Sequence, residues 1–305
     1  MSSPMTPCDF RVTLLGTGVP TPRPDRFGPS TLVQAGDQTL LIDAGRGAAI
    51  RLYQLGIPMG RVDALLLTHY HSDHTVGIPD VWLTGWLQSH FGQRRAPLRV
   101  IGPTGAKTLM SNLEKAYAAD IKIRIADEKL PPQGVAVAVD EFAAGGVVYE
   151  QNGVKVTAFE VDHGDVIKPA YGYRIDYAGR AAVISGDTRY NENVVKYGAG
   201  ADLLIHEVAI ARPELMSEAF IQRIMAHHTT AREAGMVFAR TAPKLAAFTH
   251  LVFLASEKIP PATLDDLLAE TRQTYGGPLE IGEDLMSFDI GETVVVRRGA
   301  QPTPA

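Results

Sequence analysis

The stretch Thr68-His69-Tyr70-His71-Ser72-Asp73-His74 places three histidines and one aspartate within six positions, directly after the apolar run 62–67. Asp63 is the one charged residue in this run, and a predominantly apolar run of this length is typical of a buried strand. Imidazole nitrogens and carboxylate oxygens are ligands that divalent zinc prefers. Because the chain has only nine histidines in 305 residues, chance is a poor explanation for this density. The stretch therefore predicts a metal site in a loop that a strand holds on a rigid base.

The spacing inside this stretch favours two metals rather than one. His69 and His71 alternate by two, so on an extended or tightly looped backbone both side chains can point to one side. Asp73 and His74 then turn toward a neighbouring position about 3.5–4 Å away, which is the usual separation of the ions in a two-metal centre.

Three residues later in the chain complete the ligand count. His163 follows the strand-like run 154–161, Asp187 follows the run 181–185 and a glycine, and His250 ends the run 245–249. Each of them alone is more often a core or turn residue, but the first cluster needs such partners. The predicted metal ligands are His69, His71, Asp73, His74, His163, Asp187 and His250.

Composition indicates a soluble globular protein. Hydrophobic residues make up 45% and charged residues 21% of the chain, which predicts a sizeable core. The net charge is −5 without a Lys/Arg run, so bulk charge gives no support for nucleic-acid binding. The single cysteine, Cys8, fits a reducing compartment. The sequence shows neither a secretory leader nor an apolar stretch of the ~20 residues that a membrane helix needs, so we expect a cytoplasmic protein without a membrane partner.

Strand-like and helical segments are interspersed along the chain. Strands dominate both halves, residues 121–150 are predicted to form short strands and turns, and a capping box at residues 230–233 opens a helix to about Arg240. No repeat or linker divides the sequence. We therefore expect a single domain over residues 1–305, of the α+β class, with a two-layer sheet core covered by helices.

Seven segments in this order resemble the metallo-β-lactamase superfamily over residues 12–250: LLGTGVPTP, LLIDAG, LLTHYHSDH, VDHG, SGDT, LLIHE and FTH. The resemblance implies an αββα sandwich, in which two mixed β-sheets are flanked by helices and the metals lie at the strand ends between the sheets. It also implies a hydrolase with two zinc ions per chain, manganese or iron being the alternatives, and a homodimer.

The same resemblance assigns roles to the candidate ligands. It implies that His69, His71 and His163 hold one zinc, that Asp73, His74 and His250 hold the other, and that Asp187 bridges them. Asp43 matches an aspartate that orients a ligand histidine. Two zinc ions lower the pKa of a shared water toward neutrality, and Asp73 is expected to help hold the resulting hydroxide.

Within the superfamily, the sequence is more similar to the ribonuclease Z-like branch, which includes a group of metal-dependent arylsulfatases. The residues that carry this resemblance are Gly16-Thr17-Gly18, His206-Glu207 and His228-Thr229-Thr230-Ala231. The resemblance implies that His228 is a proton donor or oxyanion stabiliser, oriented by Glu207. His227 competes with His228 for this role, and the sequence leaves open which of the two faces the site.

Two departures from ribonuclease Z favour a small substrate over transfer RNA. Ribonuclease Z carries a long Gly/Pro-rich arm between the fourth ligand and the bridging aspartate, whereas here only 24 positions separate His163 from Asp187. A Ser-rich stretch after the last histidine is replaced by the apolar residues 251–254. Trp82, Trp86 and Phe91 follow the metal loop and are candidates to line a partly apolar pocket, with a place in the core as the alternative.

The leading hypothesis is a dinuclear zinc hydrolase that acts on a small ester, either an aryl sulfate or a phosphate (di)ester, through attack by a metal-bound hydroxide. The expected partner is thus a small-molecule ester and not a nucleic acid. A lactone, β-lactam or thioester hydrolase is a second hypothesis, and a ribonuclease Z-type endonuclease is disfavoured by the missing arm. A non-catalytic or redox metal-binding protein is a further alternative, but redox di-iron sites of this superfamily usually have glutamate where this chain has His71.

Overall fold

The computed structural model describes residues 9–299, so Cys8 lies outside the described residues. No helix within that range combines the length and apolar character needed to cross a membrane. The strands are β1 Phe10–Gly16, β2 Ser30–Ala35, β3 Gln38–Ile42, β4 Ala64–Leu66, β5 Leu98–Pro103, β6 Val137–Phe142, β7 Gly146–Gln151, β8 Val154–Glu160, β9 Tyr171–Tyr177, β10 Arg180–Ile184, β11 Leu203–Ile210, β12 Leu245–Phe253, β13 Leu279–Ile281, β14 Ser287–Ile290 and β15 Val294–Arg297. The α-helices are α1 Ala48–Gln54, α2 Ser72–Thr75, α3 Ile78–Trp86, α4 Ala106–Ala116, α5 Ala118–Ala126, α6 Pro132–Val135, α7 Glu192–Gly198, α8 Ala219–Met225, α9 Ala231–Thr241 and α10 Leu264–Arg272.

The first sheet comes mainly from the N-terminal half of the chain. Across residues 9–299 it contains eight strands in the order β15-β14-β1-β2-β3-β4-β5-β6. β3, β4, β5 and β6 are parallel neighbours, while β2 pairs antiparallel with β3. Because β3 and β4 run in the same direction, Asp43 and the histidine-rich stretch after β4 emerge at the same edge of the sheet.

The second sheet comes mainly from the C-terminal half and is also mixed. In the described range it contains seven strands in the order β13-β12-β11-β10-β9-β8-β7. β10, β11 and β12 are parallel neighbours, and β8 runs in the same direction because β9 is antiparallel to both β8 and β10. The carboxyl ends of β8, β10 and β12 therefore lie at one edge, which is where ligands bind in open α/β sheets.

The two sheets face each other across a central core that both halves of the chain fill. Phe10 and Leu40 from the first sheet and Tyr173 and Ile205 from the second are fully buried in it. Two further clusters lie on the outer faces, under α1 and α3 on one side and under α9 on the other. This layering confirms the predicted αββα sandwich of the α+β class. The single domain over residues 1–305 stays a prediction.

The largest difference from the sequence-based expectation lies in residues 121–135, the first part of the segment predicted to form short strands and turns, which contain most of α5 and all of α6. The run Ile121-Lys122-Ile123-Arg124-Ile125 alternates apolar and charged residues, which is typical of a half-buried strand. It is instead a surface helix in which Arg124 pairs with Asp120 and Glu128, each four residues away. These pairs stabilise a helix and not a strand.

A second difference is that β12 does not end at His250 but continues to Phe253. His250 has a φ of 44°, and the pairing register with β11 shifts after Glu207. Such a β-bulge re-aims one side chain without ending the strand, and bulges are common next to functional sites. The apolar residues after His250 are therefore a strand extension that passes beside the site.

Candidate metal centre

Three strand ends and the bulge of a fourth strand bring the predicted ligands to one edge of the sandwich. The histidine-rich stretch follows β4 and ends in α2, His163 follows β8, Asp187 follows β10, and His250 lies in the bulge of β12. Six of the seven ligand residues are buried, and His71 is half-buried. The loops supply the bends, and the strands fix where the loops begin.

His69, His71 and His163 form the first ligand group. His69 Nε2 lies 3.1 Å from His71 Nδ1, and His163 Nε2 lies 3.3 Å from the same atom. A zinc–nitrogen bond of 2.0–2.1 Å places two tetrahedral ligands about 3.3 Å apart. These three nitrogens therefore have the mutual spacing of ligands that share one metal.

Asp73, His74 and His250 form the second group, and Asp187 lies between the two groups. His250 Nε2 is 3.4 Å and His74 Nε2 is 3.7 Å from Asp73 Oδ2. Asp187 Oδ2 lies 3.2 Å from His250 Nε2 and 3.3 Å from His74 Nε2. The same oxygen is 3.8 Å from His163 Nε2 and 3.9 Å from His69 Nε2. One carboxylate oxygen thus faces ligands of both groups, as a bridging ligand must.

Two divalent metals fit this arrangement, because a buried imidazole nitrogen at its centre has no hydrogen-bond partner among the described residues that would satisfy it without a metal. Within residues 9–299, His74 Nε2 is buried without a hydrogen bond. Burial lowers the pKa of His74, but the carboxylates of Asp187 and Asp43 outweigh burial and raise that pKa well above its ordinary value. The site therefore attracts positive charge at this nitrogen, which a metal supplies while the imidazole stays neutral.

The groups behind the ligands fix their orientation. Asp43 accepts a hydrogen bond of 2.7 Å from His74 Nδ1 and two more from the backbone N–H and hydroxyl of Thr68. His163 Nδ1 donates to the carbonyl oxygen of His227 over 2.8 Å. Such second partners select the tautomer and hold each ring in place. The turn after His163 requires Gly164, which has a φ of 103° and whose missing Cβ would lie 3.0 Å from the Cβ of His227.

Glu207 connects the metal centre to His228. Its carboxylate accepts from Thr229 N–H at 2.8 Å and Thr188 N–H at 3.4 Å, and it lies 3.1 Å from His228 Nδ1. Burial raises the pKa of Glu207 well above its ordinary value. Burial also lowers the pKa of His228 to about 4. Because Nδ1 faces Glu207, Nε2 is the ring nitrogen that His228 can offer to the cleft.

His227 and His228 both line the cleft, so the structure brings both candidates to the site. Their rings are 4.8 Å apart, and each ring centre lies 5.1 Å from that of His163. Their hydrogen bonds differ, because His228 pairs with Glu207 whereas His227 Nδ1 is buried without a partner in the described part of the chain. The contacts therefore favour His228 for the role that depends on an orienting carboxylate.

The cleft above the ligands has a volume of about 420 Å³. The bottom of the cleft is lined by His71, Asp73, Asp187 and His250. We call the seven predicted ligands together, of which these four line the cleft, the metal floor. One side of the cleft, which we call the apolar wall, consists of residues from α8 and from the end of β12: Phe220, Ile224, Val252, Phe253 and Leu254. Within residues 9–299, no lysine or arginine lines the cleft.

Trp82, Trp86 and Phe91 do not line the cleft, and Trp82 and Trp86 take the alternative place in the core. Trp82 and Trp86 are fully buried under the first sheet, where their indole N–H groups donate to the carbonyl oxygens of Val135 and Pro131. Phe91 packs against Tyr53 on α1. Their closeness to the metal loop in sequence did not translate into closeness to the cleft, because α3 turns inward directly after α2.

Sequence reasoning missed Asp284, which holds a loop at the mouth of the cleft. Its buried carboxylate accepts from the Thr17 and Phe27 N–H groups at 2.9 and 2.7 Å and pairs with Arg51 at 2.8 Å. Residues 19–21 of the held loop line the cleft. Nothing around Asp284 in the sequence marks this role, because its partners lie more than 230 positions away.

Comparisons with known proteins agree with this architecture. Residues 38–251 match the family described as the β-lactamase superfamily domain. A protein named ribonuclease Z from Mycobacterium marinum is 36% identical over 289 residues, which cover 92% of this chain and 99% of the relative. Another of that name from Mycolicibacterium gilvum is 38% identical over 286 residues, covering 92% and 96%. The crystal structure of human tRNase Z, short form, shares the fold with a TM-score of 0.68 at 22% identity, covering 91% and 98%.

These relatives contradict the expectation of an aryl sulfate or other small-molecule ester and of no nucleic-acid partner. β8 and β9 are joined by residues 161–170, so the described chain has no arm there. However, the M. marinum protein is covered almost completely by 289 aligned residues, which leaves room for only a few inserted residues. A missing arm therefore does not separate this chain from proteins named ribonuclease Z. The apolar residues after His250 were also a poor guide, because apolar surface suits nucleobases as well as aryl groups.

Proposed function

This chain belongs to the metallo-β-lactamase superfamily and to its ribonuclease Z-like branch, and we propose that it is a ribonuclease that cleaves a phosphodiester bond in transfer-RNA precursors. The observation that carries the proposal is the 36–38% identity to proteins named ribonuclease Z over nearly the whole length of both chains. The geometry of the cleft supports it, because two metals and a group that protonates the leaving oxygen both promote hydrolysis of a phosphodiester.

The seven residues of the metal floor are proposed to hold two divalent metals. Five imidazoles with two carboxylates are a donor set that zinc accepts, so zinc is the proposed metal. When bound, two such metals supply Lewis-acid activation of water and stabilise the negative charge of the phosphate. Their positive charge is not counted in the net charge of −5, which explains why bulk charge misled the sequence-based expectation about RNA.

Asp73 is proposed to hold the attacking water as well as a metal. It lines the cleft and lies between His74 and His250. A carboxylate accepts hydrogen bonds on both oxygens. One oxygen can therefore face the ligand histidines while the other accepts a hydrogen bond from the water that attacks phosphorus.

His228 is proposed to protonate the leaving oxygen. Since burial disfavours net charge on the His228–Glu207 pair, the pair is neutral overall, with the proton between them on either Glu207 or His228 Nδ1. In both neutral arrangements His228 Nε2 carries a proton. As water adds to phosphorus and the P–O bond breaks, that proton passes to the leaving oxygen, so the products are a phosphate monoester and a hydroxyl end.

The test is cleavage of a transfer-RNA transcript that carries a 3′ extension, with product ends mapped on a sequencing gel. We expect cleavage at one position, close to two metals per chain by elemental analysis, and loss of both after chelation. Restoring activity with zinc, manganese or iron separately identifies the metal. Absence of cleavage by the fully metallated protein would refute the proposal. The homodimer implied by the sequence resemblance stays a prediction, which light scattering on the same sample measures.

A further inference from the structure

The apolar wall stands out because it exposes a large aromatic side chain beside a polar floor. Phe220 is 57% exposed and lines the cleft. Its neighbour Ile221 is fully buried in the cluster beneath α8 and anchors the helix. The exposure of Phe220 therefore does not reflect a loosely attached helix. An exposed aromatic face at a site rim is typical of a binding contact.

The opposite end of the wall comes from a different element and has the same character. Val252 and Leu254 are buried in the cluster that also holds Ile221, and Phe253 is half-buried. These residues follow the bulge at His250 directly, so their position is fixed relative to a metal ligand. The wall thus reaches the metal floor without an intervening polar segment.

The wall is suited to a base rather than to a phosphate. In the described residues the cleft has no lysine or arginine, so phosphate groups are neutralised only at the metal floor. Aromatic side chains stack on any nucleobase, because every base has a π-face. A cleft of about 420 Å³ has the size of a small-molecule site, which accommodates an unpaired nucleotide and excludes a duplex.

We propose that the base of one nucleotide flanking the cleaved bond stacks on Phe220 within the apolar wall. This inference rests on the proposed ribonuclease function and names a recognition element for it. Stacking requires that nucleotide to be unpaired, so the wall selects single-stranded RNA next to the scissile phosphate. Because stacking tolerates every base, the subsite recognises the strand state more than the sequence.

The test combines a protein change with a substrate change. Phe220→Ala is compared with wild type on precursor RNA that has an intact base or an abasic residue at either flanking nucleotide. With intact RNA we expect KM to rise about tenfold, since stacking on one aromatic side chain is worth about that factor. The kcat should change less than about twofold, because the metal floor and His228 remain in place.

The decisive outcome is the loss of this penalty on one abasic substrate. If Phe220 stacks on a base, wild type and Phe220→Ala have equal KM values when that base is missing. Phe220→Trp should restore tight binding. Tyr53→Ala serves as the matched control, because Tyr53 is an aromatic residue of similar exposure, 56%, that lies outside the cleft. An equal rise in KM on intact and abasic RNA would show a structural role for Phe220 and overturn the proposal.

A spectroscopic measurement gives the same answer without turnover. Product RNAs that carry 2-aminopurine at the end formed by cleavage are titrated with the metallated protein. Stacking on Phe220 quenches the fluorescence of one of the two products, and Phe220→Ala removes the quenching. Unchanged quenching in the variant contradicts the subsite alone, whereas failure of wild type to cleave any RNA removes the proposed function and this inference together.

Discussion

The metal floor and the apolar wall lie within one cleft and differ in how they are built. The floor is made of polar residues from three strand ends and one β-bulge, and it is held by buried partners such as Asp43. The wall is made of apolar residues from one short helix and one strand extension. The floor therefore depends on precise distances between atoms, whereas the wall depends on shape and exposed area.

This difference predicts different kinetic consequences. Loss of a floor residue removes interactions with the transition state and lowers kcat, while loss of a wall residue removes binding that substrate and transition state share and raises KM. The two regions should therefore be separable by mutation.

The largest effect is expected for Asp187→Ala. Asp187 faces ligands of both groups within 3.2–3.9 Å, so its loss should remove metal from both positions. Metals supply several kcal/mol of transition-state stabilisation, which corresponds to a fall in kcat of at least about 10³-fold. Elemental analysis and turnover are measured on the same preparation, with Asp165→Ala as control because its side chain is 91% exposed. Retention of two metals by Asp187→Ala contradicts the bridging role.

The next effect is expected for His228→Ala. If His228 donates a proton, kcat should fall about 10²–10⁴-fold with an unchanged metal content. His227→Ala is the matched control, because that histidine lines the same cleft without a carboxylate partner among the described residues. A larger fall in kcat for His227→Ala than for His228→Ala would identify His227 as the proton donor instead. Loss of metal or solubility in His228→Ala would point to a structural role instead.

A smaller effect on turnover is expected for Asp284→Ala, because Asp284 influences the cleft only through the loop that contains residues 19–21. The side chains of Asp284 and Arg51 are only 4% and 11% exposed, so removing one partner leaves a buried charge. The free energy of unfolding should fall by about 3 kcal/mol, measured by urea denaturation. Because residues 19–21 line the cleft, KM should rise more than kcat falls. A fall in kcat at constant KM would show that Asp284 supports the residues of the metal floor and not the loop that lines the cleft.

The smallest functional effect is expected for Trp86→Phe. Trp86 is fully buried and its indole N–H donates to Pro131, so the change removes a buried hydrogen bond and some packing. Stability should fall by about 1–2 kcal/mol, seen as a lower urea midpoint, while kcat/KM for RNA stays within about twofold. A rise in KM for RNA without a loss of stability would indicate that Trp86 contacts the substrate.

The floor was accessible from the sequence because metal chemistry restricts residue types and spacing. The stretch from His69 to His74 indicated two metals, and strand ends located His163, Asp187 and His250. The αββα fold, which the resemblance to the metallo-β-lactamase superfamily implied, is confirmed. The assignment of each ligand to one of the two metals, with Asp187 as the bridge, stays a prediction. The distances between the nitrogen and oxygen atoms support it.

The wall and its surroundings were not accessible in the same way. An apolar residue such as Phe220 has the same helical spacing whether it faces the core or a cleft, since exposure depends on the neighbours in space. The hydrogen-bond partners of Asp284 lie far from it in the sequence. In α5 the residues alternate as in a strand, but the ion pairs of Arg124 with Asp120 and Glu128 stabilise a helix. The prediction of a small-molecule ester substrate was also wrong. It was inferred from the apolar residues after His250 and from the short connection between His163 and Asp187, and neither feature determines what the cleft binds.

The ratio of kcat/KM for an extended transfer-RNA transcript to that for p-nitrophenyl sulfate, measured on one metallated preparation, distinguishes a nuclease from a small-ester hydrolase most directly. We expect a ratio far above one, site-specific RNA cleavage, and loss of both the metals and that cleavage in Asp187→Ala. A preparation with two metals per chain that turns over the aryl sulfate efficiently and leaves the RNA intact would contradict this expectation.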